Sequence, residues 1–157
     1  MPRNLRRFIA ILEVGGGVLG VFLILTIPVQ LSGLVALLFL CILVAIGLSC
    51  AGGVLLWQGK PLGESLSVIS QAFQVPVLYG TGFTYLCHIG LGLNIYLGPE
   101  AGIRFYLHIG TAYAASLQGA EEAPALGINV IAASVLFCLL MYANSSGEQR
   151  VPAPGSA

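Results

Sequence analysis

Residues 83–117 read FTYLCHIGLGLNIYLGPEAGIRFYLHIGTAYAASL, and their alternation decides the architecture. Odd positions hold Phe83, Tyr85, Cys87, Ile89, Leu91, Leu93, Ile95 and Leu97, while Thr84, Leu86, His88, Gly90, Gly92, Asn94 and Tyr96 fall on even ones. Beyond Gly98-Pro99-Glu100-Ala101-Gly102 the odd set resumes with Ile103, Phe105, Leu107 and Ile109, set against Arg104, Tyr106 and His108. A period of two sustained this far marks half-buried strands, and the Gly/Pro cluster between them is turn chemistry. Folding about Glu100 puts Leu97 opposite Ile103 and Ile95 opposite Phe105, so both arms show their apolar sets on one face. The segment is therefore expected to form an amphipathic β-hairpin. The competing reading is two short helices, but each arm falls short of the ~20 residues a bilayer-crossing helix needs. The tripeptide His-Ile-Gly occurs at 88–90 and again at 108–110, with no wider duplication around it.

Outward from this segment the chain is far too apolar for a water-soluble domain. Of its 157 residues 57% are hydrophobic and 8% charged, with a mean hydropathy of +0.96, whereas soluble domains carry about 25% charged residues. The same numbers exclude disorder. Six Lys+Arg balance six Asp+Glu, so there is no basic field for nucleic acid. Every acid is a Glu, which removes most carboxylate-metal and phosphoryl-transfer arrangements. Residues 8–27 and 34–57 read as membrane spans joined by a short turn, and residues 126–142 as another. Residues 62–79 start with Pro61 and Glu64, both suited to a first helical turn. If that segment crosses too, Arg3, Arg6, Arg7, Lys60 and Arg150 all fall on the cytoplasmic side, as the positive-inside rule requires.

The expectation is an α-helical integral membrane protein of the inner (plasma) membrane, with both termini cytoplasmic. Four transmembrane helices carry an extracytoplasmic amphipathic β-hairpin between the third and fourth. Residues 1–80 form a three-helix membrane segment, 81–123 the hairpin, 124–143 the fourth transmembrane helix and 144–157 a disordered cytoplasmic tail. The basic start followed by an apolar run resembles a signal peptide, but Glu13 and Gly15-Gly16-Gly17 interrupt it and no A-x-A-like site follows. An uncleaved signal-anchor fits better. The sequon at Asn144 is silent on the cytoplasmic side.

Glu13 lies inside the first span, where an acid is a functional candidate. It could hold a proton or ion; the expectation is that it pairs with Arg6, Arg7 or Lys60 and locks the bundle. Gly16, Gly17 and Gly20 share its helical face and would let a neighbouring helix approach closely. Ser67, Ser70, Gln71 and Gln74 form a polar stripe at i, i+3, i+4 and i+7. Such a stripe either hydrogen-bonds adjacent helices, the commoner use, or lines a water path. Cys41, Cys50, Cys87 and Cys138 show no paired spacing. His88 and His108 sit on the polar hairpin face, expected to be exposed, and two imidazoles without a carboxylate do not make a metal site. No nucleophile motif, phosphate-binding glycine pattern or H-E-x-x-H is present. No enzyme activity, metal or cofactor is expected.

The hairpin face built by Ile89, Leu91, Leu93, Ile95, Phe105, Leu107 and Ile109 is the residue set that asks for a partner. Burying such side chains is worth roughly 1.5–3 kcal/mol each, and a lone two-stranded hairpin is marginal in water. The expected role is an assembly or scaffold subunit that oligomerises through this face, with a larger membrane complex and membrane lipid as further partners. The alternative is an oligomeric channel, or a small-solute or proton transport component, using the polar stripe. The chain is too short for paired inverted repeats.

Overall fold

In the computed structural model, residues 1–26, 33–79, 84–98, 102–109, 112–116 and 124–148 are described. Helices α1 (Arg3–Thr26) and α2 (Gly33–Trp57) pack as an antiparallel pair. Among the described residues only these two helices are long and apolar enough to cross a membrane, with mean hydropathies of 2.4 and 2.5. Their contact depends on absent side chains: a Cβ at Gly53 would lie 3.0 Å from the Ala10 carbonyl oxygen and from Glu13 Cβ. Helix α2 closes in a Schellman turn. Gly59 takes φ +75°, its N–H donates to the Leu56 carbonyl, and the Lys60 N–H donates to the Leu55 carbonyl, both at 3.0 Å.

Helix α3 (Pro61–Gln74) then runs back along α2 with Pro61 at its start. It stops well before residue 79, where the sequence pattern placed the end of a third span. The reason is Pro76, which cannot supply the N–H of a further helical turn. That proline opens strand β1 (Pro76–Tyr79), a position where the ladder tolerates it. At the other end of the chain, residues 125–129 are not helical either: they form strand β6 (Ala125–Asn129), and helix α4 (Val130–Glu148) begins only after it. Asn129 sets that boundary, because its Oδ1 accepts from the Ala132 N–H at 3.3 Å and caps the helix. The expected third span is thus shorter than its hydropathy suggested, and the expected fourth is displaced, its helix running on to Glu148 inside the segment expected to be a disordered tail.

The segment between them is not a simple two-stranded hairpin. Each arm breaks in two, giving β2 (Thr84–His88), β3 (Leu91–Gly98), β4 (Gly102–Ile109) and β5 (Ala112–Ser116). The arms part after the two His-Ile-Gly tripeptides begin, at Gly90 with φ +91° in the first arm and beyond Ile109 in the second. β3 pairs with β4 in the expected register, Leu97 opposite Ile103 and Ile95 opposite Phe105, and β2 pairs with β5. Strands β6 and β1 bridge the halves, so the order is β4-β3-β6-β1-β2-β5, with neighbours antiparallel. The sheet curls, because His88 on β2 and His108 on β4 bring their ring centroids to 4.7 Å although three strands separate them in that order.

The curl covers part of the polar face that was expected to be exposed and leaves the apolar assembly face outermost. The apolar set points outward, with Phe105 67% and Ile109 81% exposed and Leu97, Ile103, Leu107, Leu126 and Ile128 beside them. Of the polar set, His88, Asn94 and Asn129 are fully buried, while Arg104 and Tyr106 on β4 stay exposed. Four of the expected face residues are less open than the rest. Ile89 has left the face for the turn, where it is buried, and Leu91, Leu93 and Ile95 are only partly exposed.

Candidate functional site

Glu13 is 1% exposed at the centre of the helical cluster. Its two carboxyl oxygens are each served by α3: Ser67 Oγ donates to Oε2 at 2.7 Å and Gln71 Nε2 donates to Oε1 at 3.1 Å. The two donors stand four residues apart, so one turn of α3 presents both to the same carboxyl. Ser49 of α2 adds a longer contact to the Glu13 carbonyl oxygen, at 3.4 Å. Among the described residues no cation pairs with this carboxyl, which corrects the expected partnership with Arg6, Arg7 or Lys60. The arginines lie one to two turns earlier on α1 and are engaged at the α2–α3 turn instead. Arg7 sits over the Trp57 ring at 5.0 Å, and the Arg6 guanidinium lies against Gly59.

The rest of the stripe continues inward from the carboxyl. Ser67, Ser70, Gln71 and Gln74 are all buried. Gln74 Nε2 donates to the Ser70 carbonyl and hydroxyl oxygens at 3.3 Å, while its Oε1 accepts from the Ile89 N–H at 2.8 Å. Two hydrogen-bonded groups on the polar face of α3 therefore tie it to α1 and to the turn between β2 and β3. That turn is pressed onto α1, where a Cβ on Gly16 would fall inside contact with the backbone of Gly90. The glycine face of α1 thus receives a β-turn rather than the helix expected at Gly16. Gly17 does meet a helix, at Cys50 and Ile46 of α2, and Gly20 is buried on the same face. Tyr85 Oη ties β2 to the end of α3 by donating to the Phe73 carbonyl at 2.5 Å.

A second polar cluster lies inside the curl, and the sequence pattern did not single it out. Asn94 and Asn129 are directly opposed on β3 and β6, and Gly92 faces His108 on β4. A Cβ on Gly92 would lie 3.2 Å from His88 Cγ and 3.4 Å from Asn129 Nδ2, so imidazole and amide both lie close against this glycine. Tyr106 stacks obliquely on His108 at 4.8 Å between ring centroids. The signal was present in the even positions His88, Asn94, Tyr106 and His108, but alternation alone does not say which face the fold covers. Cys87, on the other face, is held inert, because burial pushes its thiol up to about 11. Among the described residues no three His, Cys, Asp or Glu side chains converge as a metal set.

Burial, reinforced by His108, lowers the His88 pKa from 6.5 to about 4. The unfolded chain takes up a proton as pH falls through 6.5, whereas the folded chain holds its imidazole neutral until about 4. Stability is therefore complete above pH 6.5 and declines as pH drops through that window, by at most about 3 kcal/mol. Thermal midpoints measured from pH 7.5 down to 4.5 should fall in the wild type and fall less in His88→Gln. Equal slopes would remove His88 as the cause.

No family model matches the chain, and neither a curated protein nor a solved structure is significantly similar to it.

Proposed function

We propose that this chain is a non-enzymatic multi-pass membrane protein that acts as an assembly subunit, joining copies of itself through the outward face and free edge of its curled sheet. The observation that carries the reading is the apolar set Leu97, Ile103, Phe105, Leu107 and Ile109, exposed on β3 and β4, with β4 and β5 ending the strand order. Membrane residence is supported by the helices, whose outward positions are large and apolar (Phe8, Phe22, Leu40, Phe73, Phe137) while Glu13, Ser49 and Gln71 face inward. Placing Lys60 at the cytoplasmic surface orients both termini there, in an inner (plasma) membrane. The fourteen residues of α3 rise about 21 Å, less than the ~30 Å hydrocarbon core. The sheet then begins at lipid depth. Lipid can cover its apolar exterior, yet lipid offers nothing to the N–H and C=O groups of edge strands, which open sheets in hydrocarbon cannot leave bare. A second copy satisfies face and edge together.

The test is the mass of the detergent-extracted protein. The wild type is expected at a multiple of 16.3 kDa, and Phe105→Asp and Leu107→Asp at the monomer. A wild type that runs as a well-folded monomer overturns the reading.

One observation favours a second role, proton or small-solute transfer: the Glu13 carboxyl is met by Ser67 and Gln71 with no cation beside it, and Ser70 and Gln74 extend the line. Because that line is buried within one chain, such a path would run through each protomer rather than between copies.

A further inference from the structure

We propose that the inward face of the sheet binds a small monovalent anion of halide size at the N-terminus of α4, between Asn94, Asn129 and His88. The first N–H groups of a helix lack intrahelical partners and carry the positive end of its dipole, which favours negative charge. Here α4 is 19 residues long and starts directly after Asn129. A helix end alone would not make a site, but buried side chains converge on this one. Asn94, directly across from Asn129, is fully buried and neither its Nδ2 nor its Oδ1 has a hydrogen-bond partner. Asn129 spends its Oδ1 on the cap and leaves Nδ2 without a partner. Both ring nitrogens of the buried His88 are likewise unpartnered, and the ring and that amide both lie close against Gly92. Unsatisfied buried polar groups are rare, and each calls for an explanation.

The chemistry of the surroundings selects the sign of the ligand. None of the six strands carries an Asp or Glu. A metal ion would find two imidazoles, no carboxylate and the positive end of a helix, which is a poor set for a cation. Amide N–H groups, an imidazole N–H and backbone N–H groups are instead donors that an anion can gather. Arg104 lies on the same face of β4 as Tyr106 and His108, at the exposed end, where it can draw an anion inward. Neither β3 nor β6 carries a Lys or Arg, and Arg104 is the one cation on the strands, so the site balances a single negative charge.

The full chain in detergent should be titrated with sodium bromide against sodium gluconate at fixed ionic strength and pH. Thermal midpoint and halide NMR line width are the two readouts, with zinc ion as a competing probe. The wild type should show saturable stabilisation and line broadening. Asn94→Asp, which places a carboxylate at the site, should weaken bromide at least about tenfold, the loss expected when a charge-assisted hydrogen bond gives way to repulsion. If Asn94→Asp does not fold, Gly92→Ala serves, since its methyl would press on His88 and Asn129 and should weaken binding in both readouts. A wild type with no saturable halide response overturns the proposal. So does bromide binding unchanged in the foldable variants, or zinc binding that depends on His88 and His108 while bromide has no effect.

Discussion

Gly16→Val is expected to lower stability by on the order of 3 kcal/mol, the upper end for forcing volume into a packed site, whereas the adjacent Gly15→Ala is expected to be neutral or stabilising. The two positions differ only in what they face. A Cβ on Gly16 collides with the backbone of Gly90, and backbone cannot swing aside as a side-chain end can. A Cβ on Gly15 meets nothing within 4 Å, and alanine is the better helix former by about 1 kcal/mol. The substitution at Gly16 displaces the β2–β3 turn from α1, and with it the Gln74 bond to Ile89 and the burial of His88. Gly63→Val should be comparably severe, because its Cβ meets the Leu56 backbone where α3 leaves α2. Thermal unfolding of the detergent-solubilised chain, followed by circular dichroism, separates the cases. If Gly16→Val and Gly15→Ala differ by less than the scatter between repeats, the turn is not seated on α1.

What could be read from the sequence, and what could not, divides along one physical line. Period and composition are local, and they located the strand-forming segment of β2 to β5, the β3–β4 register and the helices α1 and α2. The stop signals were local too: Pro76 and Asn129 each mark an element boundary, but hydropathy windows run straight through a strand that is as apolar as a helix. The strand PVLY at 76–79 and the strand ALGIN at 125–129 were absorbed into spans for that reason. The curl was not local. It depends on β1 and β6, some 50 residues apart in sequence, pairing with each other between the two halves of the bent hairpin. Without that pairing the polar face reads as the wet one, and His88 reads as exposed. The stripe residues Ser67, Ser70, Gln71 and Gln74 were legible as a group because helical spacing defines a face. Their partner was not, since an acid in a span and three cations near its start invite an ion pair. Only the packing shows that the arginines reach the α2–α3 turn while the acid faces α3.

That packing makes Glu13 the residue on which the assembly and transfer readings can be separated. Glu13→Gln keeps the shape of the side chain and an oxygen that accepts from Ser67, and the Gln71 amide can rotate to meet the new N–H. Glu13→Leu leaves Ser67 Oγ and Gln71 Nε2 buried without an acceptor, at about 1–3 kcal/mol each. A purely structural Glu13 therefore orders the variants by stability, with wild type close to Gln and Leu well below. A proton-transfer role orders them by flux in a different way, because the carboxyl is the one group in the stripe that exchanges a proton and glutamine cannot replace it. In liposomes carrying a pH gradient, the transfer reading expects wild-type flux to fall at least about tenfold in Glu13→Gln, the scale of loss for removing a group that handles the proton. It also expects a decrease in Gln71→Leu, which removes a hydrogen bond from the Glu13 carboxyl. Glu13→Gln is the informative variant, since it should fold like the wild type and so cannot lose flux through misfolding. Equal flux in wild type, Glu13→Gln and Gln71→Leu, or no flux in any, removes the path and leaves the carboxyl as the bond that holds α1 to α3 beneath the sheet.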